Sequence, residues 1–433
     1  MLVERVTVTD SDIGAPALAA AHLRRLIGGV EGVEEAVATI VSHVRAEGDE
    51  AVEEYTRRFD TDGAEPREIC VAAHELDQAL EAMPLDVVAG LQVAIANVAR
   101  VADASIGVER VTVELAQGHT VELREMPVSA AAIYAPGGRA AYPSTVVMGV
   151  VTARAAGVLD VAVCTPPGPS GEAHPAILAA CRLCGVERVY RMGGAQAVAA
   201  LAFGTESVGR ADVIVGPGNL YVQEAKRRLS HVVGIDGFAG PSDLMVVFGA
   251  DADPRLVALD LLAQAEHGPG SLVAGVSSSR AALDAVAAAI EHEPAGTVEL
   301  EPDACVLIET STPAAAVALA NEFAPEHLEL IGAAEEALAP KVRTAGCLLL
   351  GRNGATAFGD YTAGSNHVLP TGGCACYSGG LSVQSFLRGI HVVEYSRGAL
   401  EGVAGHIVAL ANAEDLPAHG EAVTARFDES GDQ

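Results

Sequence analysis

Lysine is nearly absent from this chain: Lys226 and Lys341 are the only two in 433 residues, and arginine supplies the rest of the basic side chains. Positive charge is scarce altogether, with 27 Lys and Arg against 57 Asp and Glu and a formal net charge of −30. Such a chain lacks the basic face that nucleic acid or an anionic membrane requires. No apolar run reaches the roughly 18 residues of a membrane span, and the richest stretch, VVMGVVTARAAGVLDVAVC, is broken by Arg154 and Asp160. The start, MLVERVTVTD, lacks the basic flank and apolar core of a secretory signal, so the expected location is the cytoplasm. Also missing are a G-x-G-x-x-G fingerprint, a P-loop, a G-x-S-x-G elbow and an H-E-x-x-H helix.

What is present excludes disorder: half the residues are hydrophobic and 19% are charged. The length exceeds a single typical core, so two or more domains are expected. Few lysines and many carboxylates fit a chain adapted to high salt, where screening tolerates the charge. A GC-rich coding bias accounts for arginine over lysine but not for the carboxylates. Cys181-x-x-Cys184 has redox or zinc spacing, yet it ends an apolar helix-like run, and Cys374-x-Cys376 makes a poor second pair. The eight cysteines are expected to be reduced, buried and inert.

Residues 1–25 read as an arm. A helix is expected over about 32–59, a helix pair over 74–104 around Pro84, and a hairpin in VERVTVELAQGHTVELREMPV. Between 131 and 242 four apolar runs (AAIYA, VAVCT, RVYRM, DVIVG) each end in a Gly- or Pro-rich turn and alternate with helical stretches. Their spacing is that of βαβ units, so a parallel sheet is expected with its ligand site at the carboxyl ends of the strands. Mixed α/β alternation resumes after Ser242, and residues 381–433 read as a separate tail. No fixed-period repeat is present.

Four groups could carry chemistry. Gln264 and His267 are spaced i, i+3 on one helix face, which fits a metal pair, although on its own this spacing more often marks a surface or capping histidine. Glu326 and His327 in APEHLEL set a carboxylate beside an imidazole; at a loop or helix start both can face one cleft and act as a base in two steps. Asp360, Asn366 and His367 lie in GRNGATAFGDYTAGSNHVLPTGG, a long polar run expected to be a functional loop. Glu414 and His419 flank Pro417, which is expected to start a short helix.

Taken together, the segments YAPGG, RMGGAQAVAALAFGTE, VGPGNLYVQEAKR, DGFAGPSD, QAEHGPG, APEHLEL, GDYTAGSNHVLPT and LPAHGEAV resemble the histidinol dehydrogenase family over nearly the whole chain. The resemblance implies an α/β fold of two incomplete Rossmann-like parallel-sheet domains. The implied divisions are an arm (1–25), a substrate and zinc domain (26–130 with 243–380), an NAD domain (131–242) and a C-terminal dimerisation tail (381–433). It implies one Zn2+ per subunit held by Gln264, His267, Asp360 and His419, and an acid–base pair of Glu326 and His327. Substrate contacts are implied at Ser242, Gln264, His267, His327, Asp360, Glu414 and His419, and NAD contacts at Tyr134, Gln196 and Asn219. It further implies oxidation of L-histidinol through L-histidinal to L-histidine, in a homodimer whose sites share His419 and Glu414 across subunits. Leu220 and Tyr221 after GPGN, and Cys374 and Cys376 after PTGG, depart from the family pattern outside the carried-over positions. A zinc hydrolase using Glu326, or a two-lobed binding protein, fits the residues less well. The hydrolase needs no nicotinamide, and the binding protein gives no reason for Glu326-His327 beside metal-type ligands.

Overall fold

The apolar runs of 131–242 form one all-parallel sheet and those after Ser242 form another. The smaller sheet runs in the order Arg188–Arg191, Asp160–Thr165, Ala130–Tyr134, Val213–Val215, Gly234–Ile235. The larger runs Glu4–Val8, Cys305–Thr310, Leu272–Ser277, Asp243–Phe248, His327–Ile331, Cys347–Leu350. Apart from the added edge strand Glu4–Val8, both follow the chain order third, second, first, fourth, fifth. One topology therefore occurs twice without any repeat in sequence. Burial on both faces explains why strands such as Asp243–Phe248 read as continuous apolar runs. These statements come from a computed structural model that describes residues 4–8, 15–26, 32–107, 110–137, 141–237, 241–266, 270–292 and 305–427.

The described chain divides into two units, Met1–Ile106 with Val128–Phe386, and Gly107–Pro127 with Leu387–Gln433. The first holds both parallel sheets. The second is a three-stranded antiparallel sheet, Leu387–Glu394, Thr120–Pro127 and Arg110–Glu114, with helices Arg397–Ala413 and Pro417–Thr424 packed on each other. No residue of that sheet is buried, and Val111, Val113, Leu123, Met126, Ile390 and Val393 are exposed.

Four expectations about organisation are corrected. The stretch 1–25 is no detached arm, because Glu4–Val8 pairs in parallel with Cys305–Thr310 and the following helix Ala15–Leu26 buries Ala19, Ala20 and Leu23. The expected helix over 32–59 is two helices, Glu34–Glu47 and Asp49–Phe59. Gly48 divides them at φ +56, where a Cβ would lie 2.3 Å from the Glu206 carboxylate. Residues 34–104, grouped from sequence with 243–380, instead cover the smaller sheet: Val37 and Val41 share a core with Tyr134 and Ala197, and Leu91 and Val98 with Ile133 and Val147. The tail starts at Leu387 and recruits the hairpin of 110–127, since Leu381 and Phe386 are buried in that same core.

The helix Leu85–Ala104 is long and apolar enough to cross a membrane by length and composition alone. Its residues Leu91, Ala94, Val98 and Ala102 form a buried stripe, and Val87, Val93 and Val101 lie exposed, as in an amphipathic surface helix.

Candidate active site

A cavity of about 900 Å3 opens at the carboxyl ends of the smaller sheet and reaches the amino ends of two central strands of the larger one. On the smaller sheet its lining follows the glycine turns, as the strand-end rule predicts. Tyr134 ends its strand, and its hydroxyl oxygen accepts from the Gly194 N–H at 3.1 Å. Burial pushes the Tyr134 phenol far up, so it stays protonated. Gln196, 1% exposed in the first turn of Gly194–Phe203, donates from Nε2 to Asp60 at 3.4 Å. Asn219 lines the cavity and caps the helix Leu220–Leu229, its Oδ1 accepting from the N–H groups of Tyr221 and Val222. Leu220 and Tyr221, where the chain departs from the family pattern, also line the cavity.

The turn before Asn219 is fixed from beneath. Lys226 is fully buried and donates to the Gly216 carbonyl at 2.7 Å and to Asp236 Oδ1 at 2.5 Å. Asp236 Oδ2 accepts from the Gly216 N–H at 2.7 Å. Gly216 itself has φ +116, and a Cβ there would lie 2.2 Å from the Tyr134 carbonyl oxygen. Only glycine fits that approach.

The larger sheet supplies the ionisable groups. Glu326 and His327 open the strand His327–Ile331, whose neighbours Asp243–Phe248 and Cys347–Leu350 hold it on both sides. The sequence reading placed this pair at a loop or helix start; it is a strand start, and both side chains still line the cavity. Glu326 Oε2 accepts from the Ser242 hydroxyl and from the Asp243 N–H at 3.0 Å. Gln264 donates in turn to the Ser242 oxygen. His327 places Nδ1 3.9 Å from Glu326 Oε2 and Nε2 3.5 Å from Asp360 Oδ1. Burial works against its cation, but the Asp360 contact and the charges of Glu326, Asp360 and Asp243 outweigh that and raise its pKa. Ser242, Gln264, Glu326, His327 and Asp360 therefore form one connected group.

Other candidates fall elsewhere. His267 lies outside the described residues. Glu414 ends the helix Arg397–Ala413 and His419 sits on Pro417–Thr424, both exposed in the second unit. His367 lines the cavity, whereas Asn366 clamps its own loop by donating to the Met148 carbonyl and Thr152 and accepting from the Val368 N–H. The expected loop around Asp360 contains the helix Thr356–Tyr361, whose first N–H and hydroxyl donate to buried Glu329 at 2.8 and 2.7 Å. Cys181 and Cys184 are free, with burial pushing Cys184 up to about 12 and Cys181 well up, so these two are inert as expected. Cys70 and Cys376 are exposed, contrary to expectation.

Sequence reasoning missed Asp243 and Asp60. Asp243 opens an apolar strand, is fully buried, and accepts from the Glu326 N–H at 2.7 Å; burial and then the Glu326 charge push it up to about 7. Asp60 follows an ordinary amphipathic helix and has no motif of its own.

The donors present suit a divalent ion in part. Gln264 joins the group as an amide through Ser242 and Asp360 stands beside His327 as a carboxylate, and among the described residues no group of three or more His, Cys, Asp or Glu stands ready for a metal. The cavity and its glycine turns suit a nucleotide in volume and placement, pockets for such ligands being about 300–1,000 Å3.

Fold and site together define an α/β protein in which an acid–base pair faces a cavity at the strand ends of a parallel sheet. The family model for histidinol dehydrogenase matches residues 24–427. Histidinol dehydrogenase of Thermobifida fusca is 44% identical over 423 residues, covering 96% of each chain, and that of Mycobacterium tuberculosis is 44% identical over 441 residues, covering 97% of this chain and 98% of its own. The crystal structure of histidinol dehydrogenase from Elizabethkingia anophelis superposes with a TM-score of 0.87 at 31% identity, covering 98% of each chain. The chain belongs to the histidinol dehydrogenase family.

Proposed function

We propose that the protein is a cytoplasmic enzyme that oxidises L-histidinol through L-histidinal to L-histidine, the closing step of histidine biosynthesis, with NAD and one Zn2+ per subunit. The observation that carries this reading is the connected group Gln264–Ser242–Glu326–His327–Asp360 at one side of a cavity whose other side is the glycine-turn sheet. When bound, NAD supplies the hydride acceptor for both oxidations. Zinc would be held by Gln264, His267 and Asp360 with His419 from the neighbouring subunit, and would supply a template for the imidazole and amine of the substrate.

The chain's own residues manage protons and water. His327 takes the proton of the substrate hydroxyl as the carbinol C–H is broken, with Asp360 holding the imidazole in place and favouring the cation that forms. Glu326 takes a proton from the water that adds to the aldehyde carbon. Its Oε2 accepts from Ser242 and from the Asp243 N–H, which fixes the carboxylate beside His327. The aldehyde stays in one buried site for both steps.

Purified, zinc-loaded protein given limiting L-histidinol and excess NAD is expected to form about two NADH per histidinol, fastest at high KCl. One NADH per histidinol removes the aldehyde step from Glu326. None at any salt, with zinc bound and the dimer intact, overturns the reading.

The apolar, uncovered sheet of the second unit supports a homodimer. Mixing His419→Asn with His327→Asn subunits is then expected to restore part of the activity through hybrid dimers. Hybrid formation without recovery counts against a shared site.

A further inference from the structure

A dinucleotide needs its adenosine ribose held as well as its reacting ring. In open nucleotide-binding sheets that task falls to an acidic residue near the end of the second strand. Here the second strand, Asp160–Thr165, runs into PPGPSG, and the next carboxylate, Glu172, is exposed and paired with Arg67 at 2.6 Å. No strand end of the smaller sheet provides the acid from that position.

Asp60 lines the cavity from a different segment, just beyond the helix Asp49–Phe59. It lies against the turn that follows the edge strand Arg188–Arg191, since a Cβ on Gly193 would come within 3.3 Å of Asp60 Oδ1. That edge is opposite Gly234–Ile235, the strand from which the chain leads to Ser242 and the acid–base pair. Asp60 therefore lines the cavity on the side of the smaller sheet remote from that strand. Gln196 is its one hydrogen-bond partner among the described residues, at a long 3.4 Å, and no cation accompanies it. Burial pushes the carboxyl up to about 7, the mark of an acceptor short of donors. The ring of Phe59 lines the cavity beside it, stacked on Tyr55 with centroids 5.8 Å apart.

We propose that Asp60 is a specificity-determining residue that accepts hydrogen bonds from the adenosine ribose diol and thereby selects NAD over its phosphorylated form. A vicinal diol offers the two donors that Asp60 lacks. A 2′-phosphate in the same place brings like charges together. The inference rests on the dinucleotide reading above.

The test is calorimetric binding to the full-length protein, without turnover, using NAD, its 2′-deoxyadenosine analogue and NADP. The wild type is expected to bind the deoxy analogue about tenfold or more weakly than NAD, the range of a charge-assisted hydrogen bond. Asp60→Asn and Asp60→Ala are expected to bind NAD about tenfold more weakly and to lose the distinction between NAD and the deoxy analogue. Asp60→Ala is also expected to narrow the gap between NAD and NADP. Variants that still discriminate against the deoxy analogue as the wild type does overturn the assignment, whatever their stability. A wild type that binds NAD and the deoxy analogue equally overturns the ribose contact alone, whereas one that binds no dinucleotide overturns the cofactor reading itself.

Discussion

Glu326→Gln is expected to slow the conversion of histidinal to histidine about 100-fold or more, the range of a positioned general base being about 10²–10⁴. Oxidation of histidinol to histidinal is expected to suffer less, because that proton goes to His327. The substitution is close to isosteric. A glutamine can keep its carbonyl oxygen where Oε2 accepts from Ser242 and from the Asp243 N–H, and set its NH2 where Oε1 stood. The size and shape of the side chain are kept and the basic carboxylate is lost. Single-turnover assays started from histidinol and from histidinal separate the two halves. Equal losses in both contradict the water-activating role.

Lys226→Met is expected to destabilise the protein by about 3–5 kcal/mol, the usual cost of stranding one partner of a buried ion pair. The Lys226 side chain is 1% exposed and that of Asp236 8%, so water cannot replace the lost cation. The change also releases the Gly216 turn from below, and dinucleotide binding should weaken along with stability. Urea unfolding gives the first quantity and NAD titration the second. Adding Asp236→Asn to Lys226→Met should recover part of the stability, because the stranded charge goes with it. Full stability of the single variant contradicts the clamp.

Regular structure was legible where periodicity is strong. The four apolar runs of 131–242 became parallel strands, the hairpin formed around Gly118, and Pro417 starts a helix. Domain membership was not legible. The apolar stripes of 34–104 state that they need a partner, but not that the partner is the smaller sheet rather than the larger. The helix carrying Asp360 was hidden for a similar reason: six residues including a glycine do not form a stable helix alone. Glu329, distant in sequence, captures its first N–H and hydroxyl. The connected group around His327 was named residue by residue through the family pattern, and the hydrogen bonds explain its order. Ser242 stands between Gln264 and Glu326, and Asp360 behind His327. Asp60 and Asp243 had no local signal, since their environment is made by segments far along the chain.

The burial of Lys226 reaches beyond the cofactor turn. With one of the two lysines enclosed and ion-paired, Lys341 is the single side-chain amine exposed to reagents. Amine-directed coupling of a dye or a solid support would therefore reach the folded protein through one side-chain position, Lys341.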